Sequence, residues 1–195
     1  MTRAYKVSAV ILMVIVVLLL SVGLVLSRNA PCGAMPPLSG KGPFMKAVVY
    51  RCYGPPEVLK LENVRKPTPA DDEVLVRVHA ASVNPLDWHY MRGTPYLMRM
   101  ESGLGAPEDP TMGVDFAGTV EAVGKDVKKF RPGDEVFGGR GGAFAEYVTV
   151  PESRTIALKP ANITFEQAAA VPIAASKVSS EPCSARSRSS CYPRS

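Results

Sequence analysis

Residues 112–138 read MGVDFAGTVEAVGKDVKKFRPGDEVFG, and this run decides the fold. Phe116–Val123 is predicted as a strand closed by Gly124, Arg131-Pro132-Gly133-Asp134 as a turn, and Glu135–Phe137 as the next strand. Gly113, Gly118 and Gly124 fall where strands turn or approach one another. The same grammar extends outward. Lys46–Tyr50 is a short β-rich run stopped by Gly54-Pro55-Pro56, and Val58–Val64 is a second. In Glu73–Val83, Val74, Val76 and Val78 alternate with Leu75, Arg77 and His79, so one face is expected to be buried. Ala143–Val150 and Thr155–Leu158 complete the set. Asn84–Arg92 reads as a short turn or helix, 94–112 as a long loop, and GGRGG at 138–142 as a hairpin loop. Many short strands with regular Gly and Pro punctuation predict a mainly β, barrel-like domain over 45–175. Thr164-Phe165-Glu166-Gln167 fits a capping box, so a helix starts there, and Pro172 kinks or restarts it.

Upstream the composition changes. Residues 1–6 are basic, and Val7–Leu26 carries no charged residue. About 20 apolar residues span a bilayer core, and the apolar part of a secretory signal is shorter, at about 7–15. An uncleaved single-pass anchor and an exported, cleaved signal both remain open, because Ser21-Val22-Gly23 and Cys32-Gly33-Ala34 are weak cleavage sites. Arg3 and Lys6 before the span balance Arg28 and Lys41 after it, so the positive-inside rule leaves the side unresolved. Residues 27–44, rich in Pro, Gly and Ser, read as a linker.

The net charge of +5 does not belong to the domain. Residues 45–175 hold 15 basic and 17 acidic side chains, and the excess sits at the two ends. A nucleic-acid-binding domain carries its positive charge on the folded surface, so that class is set aside. Cysteines 32, 52, 183 and 191 lack zinc-knuckle spacing and give no disulfide framework. His79 reads as a strand-surface residue and His89 as a helix-turn residue.

Residues 112–138 resemble the medium-chain dehydrogenase/reductase superfamily, through Gly, an acidic residue, Ala-Gly, Val-x-x-Val-Gly and Gly-Asp-x-Val. Residues 45–64 (MKAVVYRCYGPPEVLKLENV) are similar to its N-terminal strands. Residues 73–93 (EVLVRVHAASVNPLDWHYMRG) are similar to its zinc-independent, quinone-oxidoreductase-like branch, and AFAEYVTVPE at 143–152 to the strand leading to the cofactor half. The resemblance implies a partly open, GroES-like β-barrel with short helices. It also implies a separate Rossmann half for NADP(H), a quinone or carbonyl substrate, and a possible homodimer. Asn84 and Val114 stand where zinc-dependent relatives carry Cys and His, so no metal site is expected.

By the same resemblance Asn84 faces the nicotinamide or the substrate, with Val171 and Pro172 on the cofactor side. Asn84 offers both a donor and an acceptor, and it also suits the cap of the following turn. Asp87 and His89 are the other catalytic candidates. Asp87 suits a structural role better, orienting the turn or pairing with an Arg such as Arg92, and His89 stands where relatives often carry Tyr, which weakens a proton-donor role. Asp115 matches the acidic position beside the cleft, with packing or an Arg partner as the plainer role.

No G-x-G-x-x-G occurs in the 195 residues. After VPIAA at 171–175 the sequence changes to a Ser/Arg/Pro/Cys tail, 176–195, with eight serines. The tail is expected to be disordered, and it reads as a frameshifted or prematurely ended frame or as a genuine basic tail. The Rossmann domain is therefore expected to be absent, leaving no NADP(H) bound and an apolar barrel face exposed. Two functions stay open: the membrane-anchored catalytic half of an NADPH-dependent quinone/enone oxidoreductase, inactive alone, or a non-catalytic membrane-tethered interaction module.

Overall fold

The computed structural model describes residues 3–33 and 42–179. They divide into two units, Met1–Arg65 with Pro85–Met112, and Lys66–Asn84 with Gly113–Ser195. The 45–175 zone, read as one domain, is therefore shared between both.

The first unit begins with helix α1, Arg3–Ser27. Its serines do not interrupt it: Ser21 Oγ donates to the Val17 carbonyl at 2.8 Å, back onto the preceding turn. Strands β1 (Phe44–Val49) and β2 (Lys60–Arg65) pair antiparallel, with Met45 opposite Val64 and Val49 opposite Lys60. Met45, Ala47 and Val49 alternate inward along β1, as a strand with one covered face requires. Helix α2 (Pro85–Arg92) opens on Pro85, whose fixed φ suits a first helical position, and buries Asp87 and Met91. The stretch read as a structureless loop contains a 3-10 turn at Tyr96–Met98 and the single-turn helix α3, Arg99–Ser102. Elements of one turn are too short to print a period in sequence.

Two further expectations are corrected here. Cys32 and Cys52 form a disulfide across 20 residues, although their spacing suggested none. The linker is not a free spacer over its first residues, because the Ala30 amide donates to the Gly105 carbonyl at 2.8 Å. Both contacts are long-range, and composition does not report them.

The second unit is a five-stranded antiparallel sheet, ordered β6-β3-β4-β5-β7. Its strands are β3 (Glu73–Ser82), β4 (Asp115–Val123), β5 (Glu135–Gly139), β6 (Tyr147–Pro151) and β7 (Ile156–Leu158). The predicted alternation holds in part: Val74 and Val76 join Phe116, Val120, Val136, Val148 and Val150 in the core, but Leu75, on the opposite face, is buried as well. Gly118 lets β4 approach β3, since a Cβ there would lie 2.0 Å from the Arg77 carbonyl oxygen. GGRGG is not a hairpin loop. It leaves β5, whose partners are β4 and β7, and leads to β6, which pairs with β3 at the other edge. Turn residues look alike in a hairpin and a crossover, so the local sequence could not separate them. The strand predicted from Ala143 starts only at Tyr147.

Helix α4 (Phe165–Ala169) carries the expected capping box: Thr164 Oγ1 accepts from the Gln167 amide at 3.3 Å, and the Thr164 amide donates to Gln167 Oε1 at 3.0 Å. Ala168 and Ala169 pack on Ala117 of β4. Helix α5 (Pro172–Ser179) restarts at Pro172 and continues four residues past Ala175, so the tail's boundary is not a backbone break. Residues 180–195 of that tail lie outside the described residues. The large apolar side chains this unit exposes, among the described residues, are Val83, Leu158 and Val171. The sheet spends its other large apolar residues on its own core.

Candidate functional site

β3, β4 and β5 bring three residues into one row. Ser82 stands opposite Asp115, and Asp115 opposite Gly139. Asp115 is 2% exposed, and a carboxylate so placed requires donors. Ser82 Oγ donates to its Oδ2 at 3.4 Å and Asn84 Nδ2 at 3.2 Å. Asn84, two residues past the end of β3, is therefore half-buried with its amide fixed by an ionisable partner 31 residues away. Gly139 leaves room beside this pair: a methyl there would lie 3.6 Å from Asp115 Oδ1 and 3.8 Å from Pro172 Cβ. The structure thus gathers Asn84, Asp115 and Pro172, three candidates distant in sequence, at one end of β4.

Pro172 also walls an open groove of about 480 Å³ along β7. Phe137, Ile156, Val171 and Ala175 line it, with Arg154 and Thr155 as polar groups. Val171 and Pro172 therefore share one apolar surface.

Asp87 and His89 belong to the first unit, Asn84 to the second. Asp87 is 3% exposed in the first turn of α2, where the helix dipole favours a carboxylate. His89 Nδ1 lies 2.7 Å from the Thr94 carbonyl oxygen; a carbonyl only accepts, so Nδ1 carries the proton. Arg92 places its guanidinium over the Trp88 ring, 5.6 Å from the centroid. His79 is more than a bare surface residue, since its Nε2 lies 3.0 Å from Thr119 Oγ1 and its ring stacks on Phe165 at 4.6 Å.

Several groups escaped the sequence reading. Ser82 is identified only by cross-strand register. Arg99 sat in an aperiodic stretch with no signal, yet it is 2% exposed and donates three hydrogen bonds to carbonyls. Burial pushes the Tyr50 hydroxyl well above its ordinary pKa, with Tyr53, Asp109 and Tyr90 adding to it. In the second unit Lys66 donates to Glu121 and sits 3.6 Å over the Tyr147 ring. That bond holds the Glu121 carboxyl below its usual range and the Lys66 ammonium above its own. Among the described residues, no three His, Cys, Asp or Glu side chains gather as metal ligands.

The comparison with known proteins agrees with this arrangement. Residues 70–160 match the alcohol dehydrogenase GroES-like domain. A quinone oxidoreductase of Sus scrofa is 39% identical over 133 residues, covering 67% of this chain and 38% of its own. The chain belongs to the quinone-oxidoreductase-like branch of the medium-chain dehydrogenase/reductase superfamily. An NADPH-dependent alkenal/one oxidoreductase of Arabidopsis thaliana is 40% identical over 141 residues, 35% of its length. The quinone oxidoreductase of Coxiella burnetii superposes on this GroES-like domain with a TM-score of 0.61 at 34% identity, covering 68% of this chain and 42% of that one. The Escherichia coli quinone oxidoreductase, solved in complex with NADPH, gives 0.55 at 30% identity, covering 64% and 36%. The chain spans between a third and two fifths of the length of the curated relatives it matches.

Proposed function

We propose that this quinone-oxidoreductase-like chain supplies the substrate-side half of an NADPH-dependent quinone or enone oxidoreductase. The observation that carries this reading is the Asn84–Asp115 pair set beside Pro172, on a chain 39% identical to a quinone oxidoreductase. Asp115 fixes the Asn84 amide, and a fixed amide can orient a substrate carbonyl or the carboxamide of a nicotinamide. Val171 and Pro172 form the apolar wall on the cofactor side. When bound, NADPH supplies the hydride that reduces the quinone or enone. The residues fit only the nicotinamide end of that cofactor, because the sequence has no glycine-rich phosphate turn. We therefore assign no turnover to these 195 residues alone. Asp87 and His89 hold α2 and the turn after it rather than reacting.

The domain layout proposed is a basic start at 1–6, a membrane anchor at 7–26, a linker at 27–44, the GroES-like domain at 45–175 and a tail from 176. The anchor reading is supported by Val7–Ser27, a helical run long and apolar enough to cross a membrane, with no part of it buried in the protein.

Titration of the full chain in detergent micelles with NADPH tests the catalytic half of the proposal. No saturable binding is expected, and saturation at micromolar NADPH overturns it. A transcript in which Ala175 continues into a G-x-G-x-x-G unit supports the reading of these residues as the substrate-side half of the enzyme.

A further inference from the structure

We infer that the run Tyr96–Leu104 is a bilayer-contact surface, with Leu97, Met100 and Leu104 seated at the headgroup boundary beside the end of α1. The inference rests on the anchor reading above and adds a second point of membrane contact.

The geometry starts from Arg99. It is 2% exposed, and its guanidinium donates to three carbonyls. Nε donates to Gly93 at 2.7 Å, and Nη1 donates to Leu26 at 2.9 Å and to Arg28 at 3.0 Å. Leu26 lies in the last turn of α1, whose final carbonyls have no partner within the helix and carry its negative dipole end. A cation brought in from 73 residues away caps them. Two rings hold the cation in place, Tyr53 at 4.5 Å and Tyr96 at 4.8 Å. The Ala30–Gly105 hydrogen bond and the Cys32–Cys52 disulfide fasten the same junction. Wherever α1 leaves the bilayer, α3 leaves with it.

What α3 and its neighbours present there is apolar apart from Glu101. Leu97 and Met100 are each 68% exposed, Leu104 61% and Tyr96 47%, within nine residues. Exposed apolar side chains clustered beside a bare apolar helix are continuous with its lipid-facing surface, and Tyr suits the headgroup region. The charges nearby do not select an anionic lipid: Glu101 is exposed on the same turn, and Arg28 is the exposed cation at the helix end. The occupant is therefore the hydrocarbon edge of a neutral bilayer.

The test uses the full chain in phosphatidylcholine vesicles. Trp88, the single tryptophan, is first replaced (Trp88→Phe). Into that background go Met100→Trp, Leu104→Trp or the control Leu61→Trp, which is 69% exposed on β2 outside the run. Brominated lipids then report depth. The expected result is a blue shift and loss of emission at positions 100 and 104 with bromine high on the acyl chain, and neither at position 61. Carbonate extraction of the wild-type chain is measured in parallel. If the chain resists extraction yet positions 100 and 104 stay unquenched, the surface inference is overturned and the anchor stands. If carbonate releases the chain, both fall. A blue shift without bromine quenching, together with crosslinks between copies, assigns the patch to a second chain and also overturns the inference.

Discussion

Opening the Cys32–Cys52 disulfide should weaken the first unit by about 3 kcal/mol. The bond closes a loop of 20 residues. Restraining a loop of that length removes on the order of 3 kcal/mol of unfolded-chain entropy at 25 °C. Other attachments of residues 28–33, the Arg99 and Ala30 hydrogen bonds, survive reduction, so loop entropy is the main loss. Trp88 sits in the same unit, on α2, and reports its unfolding without interference from another tryptophan. Urea unfolding of the full chain in detergent micelles, with and without reductant, is the assay. With a urea slope of about 1–3 kcal/mol per molar, the Trp88 midpoint should fall by about 1–3 M. Alkylation and mass measurement must show both thiols open in the reduced sample. An unchanged midpoint in a sample so verified refutes the reasoning. The same bond carries a cellular consequence, because disulfides persist in oxidising compartments. If non-reducing mass mapping of the chain from cells finds Cys32 joined to Cys52, the GroES-like domain resides in an oxidising compartment.

Phe116→Ala empties the centre of the five-stranded sheet, where Phe116 is fully buried, and should cost about 3–5 kcal/mol by thermal or urea unfolding. Asp115→Asn keeps the shape but turns an acceptor for Asn84 and Ser82 partly into a donor; a loss of about 1–3 kcal/mol is expected in the same assay. Glu121→Gln tests the Lys66 pair through pH. Lys66 holds the folded-state carboxyl of Glu121 below its unfolded value, so its contribution is present above the carboxylate range and fades as pH falls through the folded value. Lys66, raised in the folded state, contributes at neutral pH and loses its contribution only at high pH. Wild type and variant should therefore melt apart at neutral pH and converge in acid; a gap that persists in acid refutes the ion-pair account.

Much of the sheet was legible because its signals are local. Val74 and Val76 declare a buried face by alternation, and the capping box at Thr164 declares a helix start by two residues three apart. Strand order was not legible. The glycines at 138–142 satisfy a hairpin and a crossover equally, and the choice is made by β3 and β4 filling the centre of the sheet. The tail boundary misled for a related reason: composition changes at Ser176, but helix propagation depends on backbone bonds that run on to Ser179.

The site divides along the same line. Asn84 was found through its motif, but its partner could be assigned only by register, since Ser82, Asp115 and Gly139 become neighbours through two strand pairings. Arg99 shows the limit most clearly. An arginine among Met, Gly and Pro has the sequence signature of a solvated loop charge, and the acids within ten residues of it, Glu101, Glu108 and Asp109, are the partners a sequence reading would name. Its partners are backbone carbonyls at Gly93, Leu26 and Arg28, which every sequence contains and no sequence marks. A buried cation satisfied by carbonyls costs less than one left bare. Its burial therefore depends on those two chain segments meeting, so Arg99 ties the α1 junction to the Gly93 turn through backbone oxygens, with the Tyr53 and Tyr96 rings against its guanidinium.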